Sequence, residues 1–212
     1  MSLYSDSNYP VDDWITAIHE DELRSFSCTG TWWTGAERRT LASEARAARE
    51  SVGTQEPAAG EPLANTTTLP SAARSVARET ATGGTGITRE FCESMQALGL
   101  AEEAYVETVG LVARLAHLDV FARGIGLPPR ALADVTETGA PPKSRPDVAA
   151  DEGFFTASIP SVPAGGELAR DIYGERQAPN ILRSLSLVPE EARRLNHIPA
   201  EQTGLAASYN PG

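Results

Sequence analysis

The sequence has few of the residues that most often carry metal or redox chemistry. Its 212 residues include only 2 Cys and 3 His. Neither Cys28 nor Cys92 lies in a metal-ligand spacing, and the histidines show no i, i+4 pair. We therefore expect no metal site and no cofactor. Two separated cysteines also favour a protein of the reducing cytoplasm over a disulfide scaffold.

Positive charge and long uninterrupted apolar runs are scarce as well. The formal net charge of −11 at pH 7 argues against nucleic acid and against anionic membrane surfaces as partners. The N-terminal residues have no basic start and no apolar stretch, so no secretory signal is expected. The longest apolar pattern is interrupted by Arg114, His117 and Asp119, which excludes a membrane-spanning helix there.

That longest apolar pattern, residues 100–127, is the segment around which we expect the chain to be organised. Apolar residues recur there at helical spacing, and a second set fills another face: Tyr105, Val109, Val112, Ala116 and Val120, then Leu111, Leu115 and Leu118. A helix that is apolar on most sides needs neighbours all round. The pattern therefore predicts a core helix.

The polar residues of this helix suggest a candidate site. Glu107, Arg114 and His117 lie within about one third of the helix circumference. One interpretation is a buried polar pocket that these three residues line, in which they act on a ligand. The other, which we favour, is a structural network at a helix or subunit contact. Asp119 and Arg123 lie on a different side, four residues apart, and are predicted to pair.

Helix signals also occur before and after the central segment. Thr34 and Glu37 form a capping-box pattern that opens a helix over about residues 35–51, and Trp32 and Trp33 are expected to pack at its entry. Further helices are predicted over residues 71–80, 89–98, 167–173, 181–187 and 190–195. The helix over 89–98 is expected to be capped by Thr88, to end at Gly99 and to face inward with Phe91, Met95 and Leu98. Asn180 is expected to cap the helix over 181–187, and Pro189 precedes the helix over 190–195. Successive helices without an alternating strand pattern predict an all-α bundle.

The composition divides the chain into three parts. Residues 1–30 are expected to be irregular apart from a short helical turn through Leu23 that Trp14 and Ile15 anchor. Residues 31–128 form the helical core, interrupted by a surface linker over 53–70. Residues 129–212 form a Pro-rich extended arm with short helices, anchored by Phe154, Phe155 and Ile159 and frayed over its last dozen residues. Because such an arm has no core of its own, it is expected to wrap its own bundle or a neighbour, so we predict a homo-oligomer. His19 and His197 are expected at the surface.

The segment GITREFCESMQALGLAEEAYVETVGLVARLAHLDVFARGIGLP resembles the core of the AhpD-like/carboxymuconolactone decarboxylase superfamily. The resembling features are a helix, a Gly-Leu break, an acidic start and a long helix. Alkylhydroperoxidase-related bacterial proteins follow this core with a Pro-rich segment and a line similar to APNILRSLSLVPEEARRL. The resemblance covers about residues 70–128, and 167–195 more loosely. It implies an all-helical, AhpD-like bundle that forms obligate oligomers with sites near subunit interfaces.

The peroxidase branch of that superfamily uses a Cys-x-x-Cys pair followed by a His. The resemblance would place these groups near Gly84, Ile87 and Phe91, and none of those positions carries one. Peroxide reduction by this route needs a thiolate and a second thiol to resolve it. Cys92 has no second thiol three residues away, so we interpret it as a buried structural residue and expect no redox site.

The resemblance therefore implies a non-redox AhpD-like protein that acts as an oligomeric structural or binding subunit. Longer relatives carry a second helical unit after the Pro-rich line, so the resemblance implies either a natural half-length form or a separate subunit that supplies that half. The alternative is a divergent carboxymuconolactone decarboxylase- or alkylhydroperoxidase-like enzyme that uses Glu107, Arg114 and His117. An enzyme should bring those groups to a solvent-connected cavity, whereas a subunit should bury and pair them.

Overall fold

The computed structural model describes residues 2–54, 69–136, 138–175 and 178–203, with side chains described as far as residue 196. These ranges contain eight helices: α1 (Asp13–Ser25), α2 (Gly35–Ser51), α3 (Ser71–Ala81), α4 (Arg89–Ala97), α5 (Glu102–Gly124), α6 (Gly166–Tyr173), α7 (Asn180–Leu185) and α8 (Pro189–Thr203). Their one β interaction is an isolated bridge between Ala150 and Ser158. The all-α class predicted from the sequence is confirmed. None of these helices has the length and apolarity needed to cross a membrane.

Helix α5 is buried along most of its length. Fourteen of its 23 residues are buried, and Leu111 and Leu115 have no exposed surface. It contacts α1, α2, α3, α7 and α8. The prediction of a core helix is confirmed, except that Val120 is exposed. Val120 lies near the end of α5 and lines a cleft together with residues that follow the ends of α2 and α3.

Local capping signals set the helix ends as predicted. At the start of α2, the Thr34 hydroxyl accepts a hydrogen bond from the Glu37 amide at 3.3 Å, and the Thr34 amide donates to the Glu37 carboxylate at 2.8 Å. The Thr88 hydroxyl caps α4 in the same manner, and Gly99 after α4 has a φ of +88°. These interactions satisfy amide groups that have no partner inside the helix.

The inward face of α4 differs from the prediction. Cys92 and Met95 are buried and Phe91 is partly buried, but Leu98 is 67% exposed. Leu98 is the residue that follows the last turn of α4, so it no longer continues the inward face of the helix.

The N-terminal 30 residues contain more helix than predicted, because the expected short turn through Leu23 is α1, a helix of 13 residues that ends at Ser25. Trp14 does not anchor it, since 40% of its surface is exposed. The buried positions of α1 include His19, Glu22 and Leu23, so the expected surface position of His19 is also wrong. The inward positions of α1, which are three or four residues apart, are partly polar. A search for apolar residues at helical spacing therefore does not detect this helix.

The described part of the arm, which begins at residue 129, packs on its own bundle. Ile159, Leu187 and Ala192 belong to the same hydrophobic core as α5. The arm is less extended than predicted, because α8 begins at Pro189 as expected but continues to Thr203. Helix α7 begins one residue earlier than predicted, after Pro179, so Asn180 is a helical residue and not a cap. Most of the predicted linker and of the predicted frayed end lies outside the described residues.

Truncation of the α5 core should cost far more stability than the same truncation of α4. Leu111→Ala should lower the free energy of unfolding by about 3 kcal/mol, since it opens a cavity in a closed core. Leu98→Ala removes the same atoms from an exposed position and should change it by less than about 0.5 kcal/mol. Urea denaturation followed by circular dichroism measures both, and equal losses would contradict the burial of α5.

Candidate functional site: a buried arginine–glutamate network

The structure brings two of the three predicted site residues into one network and places the third outside it. Glu107 and Arg114 have no exposed surface, and both belong to one network of charged side chains. His117 is partly exposed, and its ring lies 6.2 Å from the ring of His19, measured between centroids. Glu107 and Arg114 therefore belong to one group of side chains, as predicted, whereas His117 lies beside α1.

Arg114 connects three helices through its guanidinium group. Its Nε and Nη2 donate to both carboxylate oxygens of Glu191 on α8, at 2.9–3.0 Å. Its Nη1 donates to Glu22 on α1 and, at 3.2 Å, to the hydroxyl of Ser25. The ring centroid of Phe26 lies 5.1 Å from the guanidinium carbon, which adds a cation–π contact. The guanidinium group is thus enclosed by protein groups.

Glu107 is held from the opposite side by α2. Nη1 of Arg38 donates to Glu107 and, at 3.3 Å, to Glu191. The other Glu107 oxygen accepts from the backbone amide of Trp32 at 2.6 Å. Nε of Arg38 donates to the backbone carbonyl of Ser25 at 3.2 Å. Glu191 therefore joins the two arginines, and the network connects α1, α2, α5 and α8.

Carboxylates outnumber guanidinium groups in the buried part of this network. Three buried carboxylates face two buried guanidinium groups, which leaves one negative charge. At the rim, Arg194 donates to Glu22 at 3.0 Å, to Asp21 at 3.1 Å and to Glu190 at 2.8 Å, so its charge is shared among three carboxylates. The six members are Glu22, Arg38, Glu107, Arg114, Glu191 and Arg194. Charged groups that are buried with partners in this way fix the arrangement of the helices that carry them.

Burial and neighbouring charges shift the pKa values inside the network. Burial raises the pKa of Glu107, with Arg38 opposing the shift and Glu191 adding to it. Burial would lower the pKa of Arg114, but Glu191 and Glu22 raise it above its ordinary value. The guanidinium of Arg114 is therefore a fixed positive charge, and burial favours the protonated form of Glu107 against the attraction of Arg38.

Two glycines make room for the network. A side chain at Gly110 would place its Cβ 2.6 Å from Oε2 of Glu191. A Cβ at Gly30 would collide with the Glu107 carboxylate and the Arg38 guanidinium. Glycine is thus required at both positions because charged groups approach the backbone closely. The sequence shows a small residue inside an apolar helix at Gly110, but it does not show what approaches it.

A cleft of about 330 Å³ lies beside the network. Its wall includes Ser25, Cys28, Gly30, Arg38, Glu191 and Arg194. Arg38 and Glu191 are members of the network, whereas Glu107, Arg114 and His117 are not among the residues that line the cleft. A molecule in this cleft would meet the edge of the network and not the residues predicted as catalytic.

Asp119 belongs to a second polar cluster, and its predicted pairing with Arg123 is wrong. Both oxygens of Asp119 accept from Arg46, at 2.6 and 3.1 Å, and one accepts from Arg49 at 3.0 Å. Arg123 is exposed, and its Nη1 donates to the backbone carbonyl of Thr54 at 2.8 Å. Asp119 faces α2, so two arginines of that helix are closer than a residue of its own helix.

Cys92 is buried between α4 and the arm. Its thiol donates to the carbonyl of Phe155 at 3.5 Å, and its sulfur accepts from Nε2 of Gln96 at 3.5 Å. Burial raises the pKa of the thiol above its ordinary value. The thiolate, which is the nucleophilic form, is therefore disfavoured. Within the described ranges, no three or more His, Cys, Asp or Glu residues are grouped as metal ligands.

His19 is enclosed by aromatic side chains. The Tyr4 hydroxyl lies 2.7 Å from its Nδ1, and the centroid of the Phe121 ring lies 4.7 Å away. Burial, with a smaller contribution from the charge of His117, lowers the pKa of His19 from 6.5 to about 4. The imidazole is therefore neutral at pH 7.

Removing the central carboxylate should destabilise the protein strongly. Glu191→Gln removes the carboxylate that accepts from both Arg114 and Arg38 and turns an amide N–H₂ donor towards guanidinium N–H groups, so it should cost roughly 3 kcal/mol of unfolding free energy. Glu190→Gln removes the adjacent carboxylate, which is half exposed, and should cost less than about 1 kcal/mol. Urea denaturation of the two variants at pH 7 makes the comparison, and similar losses would contradict the central role of Glu191.

His19 should make stability depend on pH. The unfolded chain binds the proton near pH 6.5 and the folded chain only near pH 4, so stability is complete above pH 6.5 and is lost as the pH falls towards 4. His19→Gln keeps a hydrogen-bond acceptor for Tyr4 but does not titrate. Its loss of stability between pH 7 and 4.5 should be smaller than that of the wild type by on the order of 2 kcal/mol. Identical losses would contradict the buried neutral imidazole.

Comparison with known proteins identifies no relative for this chain. No family model, no curated protein and no solved structure matches it. The fold class is therefore established by the structure, and the function has to be inferred from the residues and their geometry.

Proposed function

We propose that this chain is a non-redox AhpD-like helical protein that acts as an oligomeric structural or binding subunit beside a catalytic partner. The observation that supports this most directly is the enclosure of Glu107 and Arg114. Both are fully buried, and their polar atoms are bound by Arg38, Glu22 and Glu191. Groups that are dry and paired in this way hold helices together and do not meet a substrate.

The thiols support the non-redox part of the proposal. Cys92 has a raised pKa and packs against the arm, so it is a poor nucleophile. Cys28, the other cysteine, lines the cleft beside Arg38. Neither forms a disulfide bond within the described residues. A peroxidase of the dithiol type needs an accessible thiolate and a resolving thiol that can reach it.

The surface offers support for an oligomer. Several large apolar side chains are exposed: Tyr9, Trp14, Val52, Leu98, Val120, Val148, Phe155 and Ile181. Single exposed apolar residues are common, but Leu98 and Ile181 are each exposed by more than 60%. Side chains of this kind are suited to burial against another subunit.

The alternative, a divergent enzyme of the same superfamily, has one observation in its favour. The cleft of about 330 Å³ reaches Arg38 and Glu191, which bind Glu107 and Arg114 directly. Catalysis by Glu107, Arg114 and His117 would require those three groups to contact a substrate. Since two of the three have no exposed surface, we prefer the subunit function.

The native assembly tests this proposal. The protein is purified from its source at its natural level, its mass is measured by light scattering and native mass spectrometry, and the polypeptides in the complex are sequenced. We expect a mass well above the 22.5 kDa of one chain and a second polypeptide that carries a Cys-x-x-Cys motif. The purified chain alone should not reduce tert-butyl hydroperoxide with a dithiol above the protein-free rate.

Two results would overturn the proposal. One is a monomer of 22.5 kDa in the native preparation. The other is hydroperoxide turnover by the isolated chain. Repeating the assay with Cys92→Ser then shows whether that thiol is responsible, because turnover that survives the substitution must use a different group.

A further inference from the structure

A second cleft, of about 520 Å³, lies at the ends of three helices. Its wall is formed by residues that follow α2, by the end of α3 and by the C-terminal part of α5. We call it the helix-end cleft, and the lining residues that matter here are Arg49, Thr54, Asp119, Val120, Arg123 and Leu127. Its volume falls within the range of small-molecule sites in proteins.

One wall of the helix-end cleft carries positive charge. Two arginines, Arg49 and Arg123, and one carboxylate, Asp119, line the cleft. Arg46, which does not line the cleft, shares the Asp119 carboxylate with Arg49. Among the described residues, Arg123 forms no ion pair, and only its Nη1 is engaged, with the carbonyl of Thr54. This positive group stands out in a chain whose formal net charge is −11.

Helix ends hold these arginines in position. The carbonyl groups at the C-terminus of a helix carry partial negative charge and bind cations. Nε of Arg49 donates to the carbonyl of Ala81, the last residue of α3, at 3.3 Å. Arg123 donates to the carbonyl of Thr54, shortly after the end of α2. The backbone thus fixes the guanidinium groups, and Arg123 keeps N–H donors in its fork for another acceptor.

The other wall of the helix-end cleft is apolar. It is formed by Ala116, Val120, Leu127, Pro128 and Pro129. Val120 is 56% exposed, although the spacing of α5 places it in line with core residues. An apolar wall opposite a cation matches a ligand with an apolar body and an anionic head.

We propose that the helix-end cleft binds a small organic oxyanion with an apolar body. The carboxylate or phosphate head lies against Arg123, with Arg46 and Arg49 adding long-range attraction. The hydrocarbon or aromatic part packs against Val120 and Leu127. This proposal does not depend on the subunit function, because the cleft shares no residue with the network around Arg114.

Isothermal titration calorimetry with benzoate tests the ligand class. Benzoate should bind the wild type with a dissociation constant of about 10 mM or tighter, as expected for a ligand of its size. Benzamide has the same shape without the charge and should bind roughly tenfold more weakly. Inorganic phosphate supplies an anionic head without the apolar body and should also bind more weakly. Benzoate binding no tighter than that of either control would overturn the proposal.

Matched variants locate the site. Val120→Asp and Val120→Asn place nearly identical side chains on the cleft wall, but only the first carries a negative charge. The Asp variant should weaken benzoate binding by roughly tenfold relative to the Asn variant. Arg123→Gln should weaken it by roughly fivefold, whereas Arg170→Gln makes the same change of net charge on α6 and should leave it unchanged.

The variants also have outcomes that overturn the proposal. Equal benzoate affinity in Val120→Asp and Val120→Asn would show that no anion binds beside Val120. Equal effects of Arg123→Gln and Arg170→Gln would show that only the total charge of the protein matters. Neither result bears on the native assembly, so failure of this site is distinguishable from failure of the subunit function.

Discussion

The charge of Arg114 has no contact with solvent, and the packing of the bundle depends on how that charge is neutralised. The guanidinium group lies on α5, while its carboxylate partners come from α1 and α8. A buried cation without a partner costs several kcal/mol. Helix α5 can therefore pack in its native position only when α1 and α8, which come from near the two ends of the described chain, pack against it. Arg38 extends the same requirement to α2 through Glu107 and Glu191.

This constraint separates α5 into two regions with different properties. Around Arg114 the charges are enclosed and paired, and the charged side chains approach the backbone closely at Gly30 and Gly110. Around Asp119 the arginines outnumber the carboxylate, and Arg123 remains exposed beside an apolar wall. The first region is suited to holding the helices together. The second is suited to receiving a ligand, which is why the inferred binding site and the buried network lie at different places on one helix.

Features encoded by neighbouring residues were predictable from the sequence, and features that depend on distant residues were not. The leucines at 111, 115 and 118 indicated the core, and Thr34 with Glu37 fixed the start of α2. Spacing along α5 also placed Glu107 and Arg114 on one face. It could not supply their partners, because Glu191 is 77 positions from Arg114. The same limit explains Asp119, whose partners lie on another helix, and α1, whose inward positions are partly polar.

Hydrogen–deuterium exchange measured by mass spectrometry tests the coupling of these helices most directly. If Arg114 requires α1 and α8 to dock together, then backbone amides of residues 104–118, 19–23 and 190–195 should exchange through one common opening, with the free energy of global unfolding. Protection in α8 that is lower than in α5 by roughly a hundredfold or more would contradict this. It would mean that α8 detaches from the bundle while the guanidinium group of Arg114 stays buried.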